Sequence, residues 1–173
     1  LVKIEVVNRG PEEAPIDLLP TLWFRNTWSW SNASARPSIE VSGGRAVRAT
    51  HPSEPARWLY FEDGAELLFT ENETNHERLH GSANRTPYVK DAFHRYVVNG
   101  DRHAVNPAQN GTKFACRFRA TIPGGGARVF KLRLAAREMP EALGVDFDDI
   151  FKARKAEADE FFATVIPTAM TRR

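Results

Sequence analysis

The sequence predicts a mainly β protein: an antiparallel β-sandwich followed by one C-terminal linker helix. Three observations predict it. Apolar and polar residues alternate with a period of two in several short runs upstream of residue 140. Glycine, proline and asparagine punctuate those runs at turn-like spacing. The period changes to a helical one only after Asp146.

The elements follow in order. Lys3 to Val7 is a first strand, closed by Asn8-Arg9-Gly10-Pro11. A second runs from Ile16 to Phe24, with Ile16, Leu18, Leu22 and Phe24 on one face. Ser42-Gly43-Gly44 precedes a strand at Arg45 to Ala49. Trp58 to Phe61 and Glu66 to Thr70 flank Glu62-Asp63-Gly64-Ala65, a hairpin signal because Asp-Gly favours the positive φ of tight turns. Tyr96 to Asn99 reads as a further short strand. Along Lys113 to Ile122, Phe114, Cys116, Phe118, Ala120 and Ile122 point one way, and Lys113, Arg117, Arg119 and Thr121 the other. Pro123-Gly124-Gly125-Gly126 turns the chain into Phe130, Leu132 and Leu134, so this pair also reads as a half-buried hairpin. From Asp146, the apolar positions Phe147, Ile150, Phe151, Ala158, Phe161, Phe162 and Val165 form a helical stripe. Asp146 is placed to cap that helix, Asp148 and Asp149 suit its positive end, and Pro167 closes it. The expected division is therefore a sandwich over 1–140, a linker helix over 141–166 and a tail over 167–173.

Composition excludes several classes. Lys plus Arg number 24 against 22 Asp plus Glu, and the charges are interspersed, so a nucleic-acid partner is not expected. No apolar run approaches the roughly 18 residues of a membrane helix, so no membrane partner is expected either. The single cysteine, Cys116, precludes an internal disulfide. Leu1 opens inside a strand and the chain closes on a lone helix, which together read as a piece of something longer. A cytoplasmic location is the expectation, and the absence of a targeting segment carries no weight because the true N-terminus reads as missing.

Four motifs carry chemistry on paper. His76-Glu77-Arg78-Leu79-His80 fits H-E-x-x-H, in which two imidazoles on one helical face hold zinc while the Glu acts on a bound water. Its surroundings allow little more than one helical turn, Ala83 and Thr86 stand where a metzincin needs Gly and His, and no Glu lies between Glu77 and Glu138. Surface histidines are the expectation, with no metal and no cofactor. The sequons at Asn32, Asn72, Asn84 and Asn110 read as turn residues. The carboxylate pairs Glu12-Glu13, Glu62-Asp63, Glu71 with Glu73, and Asp148-Asp149 sit at turn or cap positions, and none has a dyad's spacing. Trp28 and Trp30 would share a face on an extended backbone. With Arg25 and Asn26 they offer flat rings and hydrogen-bonding groups to a sugar, or aromatic area to a core or domain interface.

These stretches carry a family likeness. Val6-Val7-Asn8-Arg9-Gly10-Pro11, the run Leu19-Pro20-Thr21-Leu22-Trp23-Phe24-Arg25-Asn26-Thr27-Trp28-Ser29-Trp30, and Phe69 to Asn75 resemble bacterial members of glycoside hydrolase family 63. That family includes processing α-glucosidases and is related to mannosylglycerate hydrolases. Pro87-Tyr88-Val89-Lys90-Asp91, Val105-Asn106-Pro107, Gly111-Thr112-Lys113 and Arg154 to Phe162 extend the likeness along nearly the whole chain, in order. The resemblance implies a super-sandwich preceding an (α/α) barrel, with the helix bridging the two. Inverting hydrolysis by an acid and a base would then take place on the barrel, so no catalytic residue falls within these residues. It implies two partners: a carbohydrate substrate, met through the full-length enzyme, and the chain's own C-terminal barrel. The substrate-contact candidates are Trp28, Trp30, Arg25 and Asn26. The alternative class is a free-standing carbohydrate-binding or protein-interaction sandwich.

Overall fold

The computed structural model describes residues 1–30 and 35–167. The sequon at Asn32 and tail residues 168–173 lie outside them. Within them the chain is mainly β, built from antiparallel strands, with one long C-terminal helix. The strands are β1 (Val2–Val7), β2 (Ala14–Leu18), β3 (Thr21–Trp23), β4 (Ser38–Val41), β5 (Ala46–His51), β6 (Glu54–Phe61), β7 (Glu66–Thr70), β8 (Asn110–Gly111), β9 (Lys113–Ile122) and β10 (Ala127–Ala135). The helices are α1 (His76–His80), α2 (Ala92–Asn99) and α3 (Asp146–Val165).

One sheet runs β1-β10-β6-β5-β4-β8. The other is built around β9, which pairs with β2, β3 and β7. Leu18 opposes Phe118 and Thr21 opposes Ala115, so β2 and β3 hold one continuous register along β9. The strand expected over Ile16 to Phe24 is thus present, interrupted at Leu19-Pro20, where proline supplies no N–H to the ladder.

The core lies between the sheets. Ile39, Val47, Leu59, Phe61, Phe130 and Leu132 of the first face Phe69, Phe114, Cys116 and Phe118 of the second. Phe69 and Phe114 approach to 4.9 Å between ring centroids, and Phe118 and Phe130 to 5.0 Å. Each buried ring contributes about 1.5–3 kcal/mol of transfer free energy. The same burial pushes the Cys116 thiol up to about 12, which leaves it inert.

Two expected hairpins are corrected. β6 pairs with β5 and β10, whereas β7 pairs with β9, so Glu62 to Ala65 carries the chain from one sheet to the other. β9 and β10 likewise lie in different sheets, and Pro123 to Gly126 is a second crossing. The turns are present, with Gly64 at φ 82° and Gly125 at φ 69°. The strands flanking the second turn nevertheless meet face to face through Phe118 and Phe130, because both alternate with an apolar face strong enough to line a shared core. Tyr96 to Asn99 is also corrected, from strand to the end of α2. Ala92, Phe93 and Tyr96 are its buried residues, and Gly100 ends it in the left-handed region at φ 71°.

α2 and α3 cover opposite outer faces. Phe93 and Tyr96 pack with Leu68 and Ala115 on the second sheet. α3 begins on the first sheet, where Phe147 is fully buried. Asp146 does not cap α3: Val145 takes that position, and the Asp146 carboxylate pairs with Arg133 at 3.4 Å.

Candidate functional site

β3 and β7 both end opposite Lys113, so the segments that follow them leave the sandwich side by side. Their backbones are stitched together. Asn26 Nδ2 donates to the Asn72 carbonyl at 3.1 Å, and Asn72 Nδ2 donates to the Phe24 carbonyl at 2.8 Å. Below them β8 approaches β7 so closely that a Cβ on Gly111 would stand 2.4 Å from the Thr70 carbonyl oxygen. Only glycine fits there.

Five side chains complete the junction. Arg36 reaches Glu71 Oε2 at 2.5 Å and Glu73 Oε1 at 3.4 Å, and its guanidinium lies 5.9 Å from the Trp28 ring centroid. Trp28 Nε1 donates to Glu73 Oε1 at 3.1 Å, and Thr112 Oγ1 donates to Glu71 Oε2 at 2.6 Å. The two carboxylates are only 15% and 12% exposed, so they are not the solvated turn residues expected from sequence. An oxygen of each is engaged by Arg36 and a second donor, an arrangement that fixes loops and gives no sign of a free acid–base pair.

The four sequence-predicted contact residues come together here but divide by role. Residues Trp28–Trp30 form one 3-10 turn, with the Trp30 N–H bonded to the Thr27 carbonyl and the Ser29 N–H to Asn26 Oδ1. The tight turn sends the indoles apart, which corrects the shared face expected of an extended backbone. Trp28 is buried at 7% exposure and Trp30 is 69% exposed. Arg25 is exposed and stacks on Trp30, with its guanidinium 5.2 Å from the ring centroid. Trp28 and Asn26 therefore support the junction, while Trp30 and Arg25 present a flat ring and a cation to solvent. Chemically, that plate suits the C–H face and hydroxyls of a sugar. Arg36 escaped the sequence reading because its partners lie 35 and 37 residues away, a separation that leaves no periodic signal.

His76 and His80 stand on α1, capped by Asn75 Oδ1 at its start and by Gly81 at its end. Both histidines are exposed, with ring centroids 5.5 Å apart. Among the described residues, no group of three or more His, Cys, Asp or Glu is placed to hold a metal. Nor is any helix there long and apolar enough to cross a membrane.

Comparison with known proteins adds one relative. The uncharacterized protein YMR196W of Saccharomyces cerevisiae is 29% identical over 203 residues, an alignment covering 95% of this chain. The chain spans only 19% of that relative's length. No protein-family model matches the chain, and no solved structure matches it significantly.

Proposed function

We propose that the chain is a non-catalytic sandwich domain of an inverting glycoside hydrolase of the family 63 type. It packs on an (α/α) catalytic barrel elsewhere in the parent polypeptide, with α3 as the bridge. The observation that carries this reading is α3 itself. Phe161, Phe162 and Val165 are 53–61% exposed on a helix whose first turn is anchored, which is the condition of an element built to meet a partner. Support also comes from the ordered motif likeness along the chain and from a relative of which the chain spans about a fifth. In this reading the parent is a cytoplasmic protein.

In this reading Trp30 and Arg25 line the rim of the sugar pocket, and Trp28, Asn26, Arg36, Glu71 and Glu73 hold that rim rigid. The test is an assay of the full-length parent on α-linked glucosides and mannosides, with the product anomer followed by NMR. Hydrolysis with inversion is expected, together with no turnover by residues 1–173 alone. Absence of glycosidase activity in the parent overturns the proposal. So does turnover by 1–173 that a carboxylate substitution abolishes. Trp30→Ala in the parent is expected to lower kcat/KM about tenfold, equivalent to about 1.4 kcal/mol, with Tm unchanged. Trp28→Ala is expected to lower Tm first.

A further inference from the structure

Three unsatisfied surfaces converge at the β1 edge of the six-stranded sheet. The first is backbone. Among the described residues, β1 pairs with β10 on one side only. The Asn8 N–H bonds to the Gly126 carbonyl, continuing the Val7–Ala127 register. Antiparallel ladders alternate every two residues, so Val2, Ile4 and Val6 bond to β10 while the N–H and C=O of Lys3, Glu5 and Val7 face outward from the sheet edge. The second is the inner layer. Ile4 and Val6 pack only partly against the core, and Val2, on the same face, is 46% exposed.

The third is α3. Asp148 bonds Lys131 of β10 at 2.5 Å and Lys3 of β1 at 3.1 Å, and those two lysines are register partners. Phe147 lies near Lys131, and Phe151 lies near Lys3, so α3 passes over β10 and then over β1. Phe147, Ile150, Phe151, Ala158, Phe161, Phe162 and Val165 fall within about 120° of one another around the axis. The face that buries Phe147 on the sheet is thus the face that carries the bare residues past it. Phe161 lies about 15 Å further along the helix than Phe151. That is about three times the 4.8 Å spacing of neighbouring strands.

We infer that the corner between the β1 edge and the apolar face of α3 receives an extended segment of the parent polypeptide from outside residues 1–173, hydrogen-bonded to β1 as a further strand. The inference rests on the proposed reading in requiring a longer parent. A body that covered Phe161, Phe162 and Val165 at this corner would also remove water from the outward N–H and C=O groups of Lys3, Glu5 and Val7. Buried backbone groups need partners. A helix, whose own backbone groups are already paired, offers none, whereas a strand supplies the whole row. The side chains of such a strand would cover Val2 on one face and meet the α3 stripe on the other.

Amide hydrogen exchange on the full-length parent, read by mass spectrometry with residue-level fragmentation, tests this. The Lys3, Glu5 and Val7 amides are expected to exchange at least about 100-fold slower than an unstructured chain, as slowly as Ile4 and Val6. Protection of Ile4 and Val6 with coil-like exchange at Lys3, Glu5 and Val7 overturns the inference, whatever covers α3. Glu5→Pro in the parent gives a second reading. A solvated edge tolerates proline at an outward N–H, so an unchanged Tm also overturns it, while a clear loss supports it. Glycosidase activity is scored separately. Its absence sinks the proposed function without touching the exchange result.

Discussion

The sandwich carries a helix on each outer face, and the two are anchored in opposite ways. α2 has eight residues and buries three of them, Ala92, Phe93 and Tyr96. Polar groups lock it down as well. The Tyr96 hydroxyl bonds Glu66, whose other oxygen accepts from Arg117 at 2.9 Å, and Arg117 Nε donates to Asp17 at 2.7 Å. α3 has twenty residues and buries one, Phe147. Its outer positions are satisfied within the helix, as in Arg154 with Glu157 and Lys155 with Asp159. A helix whose polar face is paired and whose apolar face is bare beyond its first turns gains little from its own domain. α2 belongs to the sandwich, and most of α3 is left bare by it.

The largest expected effect falls on the one anchor that α3 has. Phe147→Ala removes a fully buried ring and is expected to cost about 3–5 kcal/mol in chemical denaturation. A cost under 1 kcal/mol would mean that α3 contributes nothing to the sandwich and would break the comparison at its strongest point. On the other face, Tyr96→Phe removes a hydroxyl bonded to Glu66 and is expected to cost about 1 kcal/mol. An effect near zero there would put the hold on α2 in its rings alone.

Much of this architecture was legible in the sequence, for reasons that also mark where legibility stops. Period-two alternation identified β9 because Phe114, Cys116, Phe118 and Ile122 all bury against the opposite sheet. The same alternation could not say which strand β9 pairs with, because a face-to-face neighbour and a hydrogen-bonded one leave the same pattern. The crossings at 62–65 and 123–126 therefore read as hairpins in the sequence. Arg117, expected on the outer face, does lie there, yet α2 and two carboxylates bury it to 8% side-chain exposure. At the candidate site, residue types placed Trp28, Trp30, Arg25 and Asn26 in one loop. Which indole turns inward depends on Glu73 and Arg36, fixed by folding and not by local spacing.

The polar lock under α2 also sets a pH dependence. The hydrogen bond from Arg117 holds the Asp17 carboxyl below its ordinary value, helped by the charges of Arg117 and Arg119. A carboxylate with a depressed folded pKa adds stability that is fully present above its unfolded value of about 3.9 and is lost as pH falls through the folded one. Urea unfolding of the chain is therefore expected to weaken below about pH 4, and Asp17→Asn to flatten that limb. An acid limb unchanged by Asp17→Asn would remove Asp17 from the account of how α2 is held. The partial exposure of this pair keeps the expected change small.

The smallest expected effect is the most diagnostic. Phe162 shares residue type, helix and helical face with Phe147, and differs only in lying past the β1 edge at 53% exposure. In the isolated chain its ring meets Phe161, 5.5 Å away between centroids, and Phe162 is not part of the core formed by the described residues. Phe162→Ala should then move the unfolding free energy of residues 1–173 by no more than about 0.5 kcal/mol. Alanine also has the higher helix propensity, so a slight gain is within the expectation. In the full-length parent the same substitution is expected to cost about 3–5 kcal/mol, the value for a ring buried in a packed interface. A large cost in the isolated chain would show that α3 folds back on its own sandwich in solution. Equal, negligible costs in both would leave the stripe without a partner and remove the main support for an interdomain bridge.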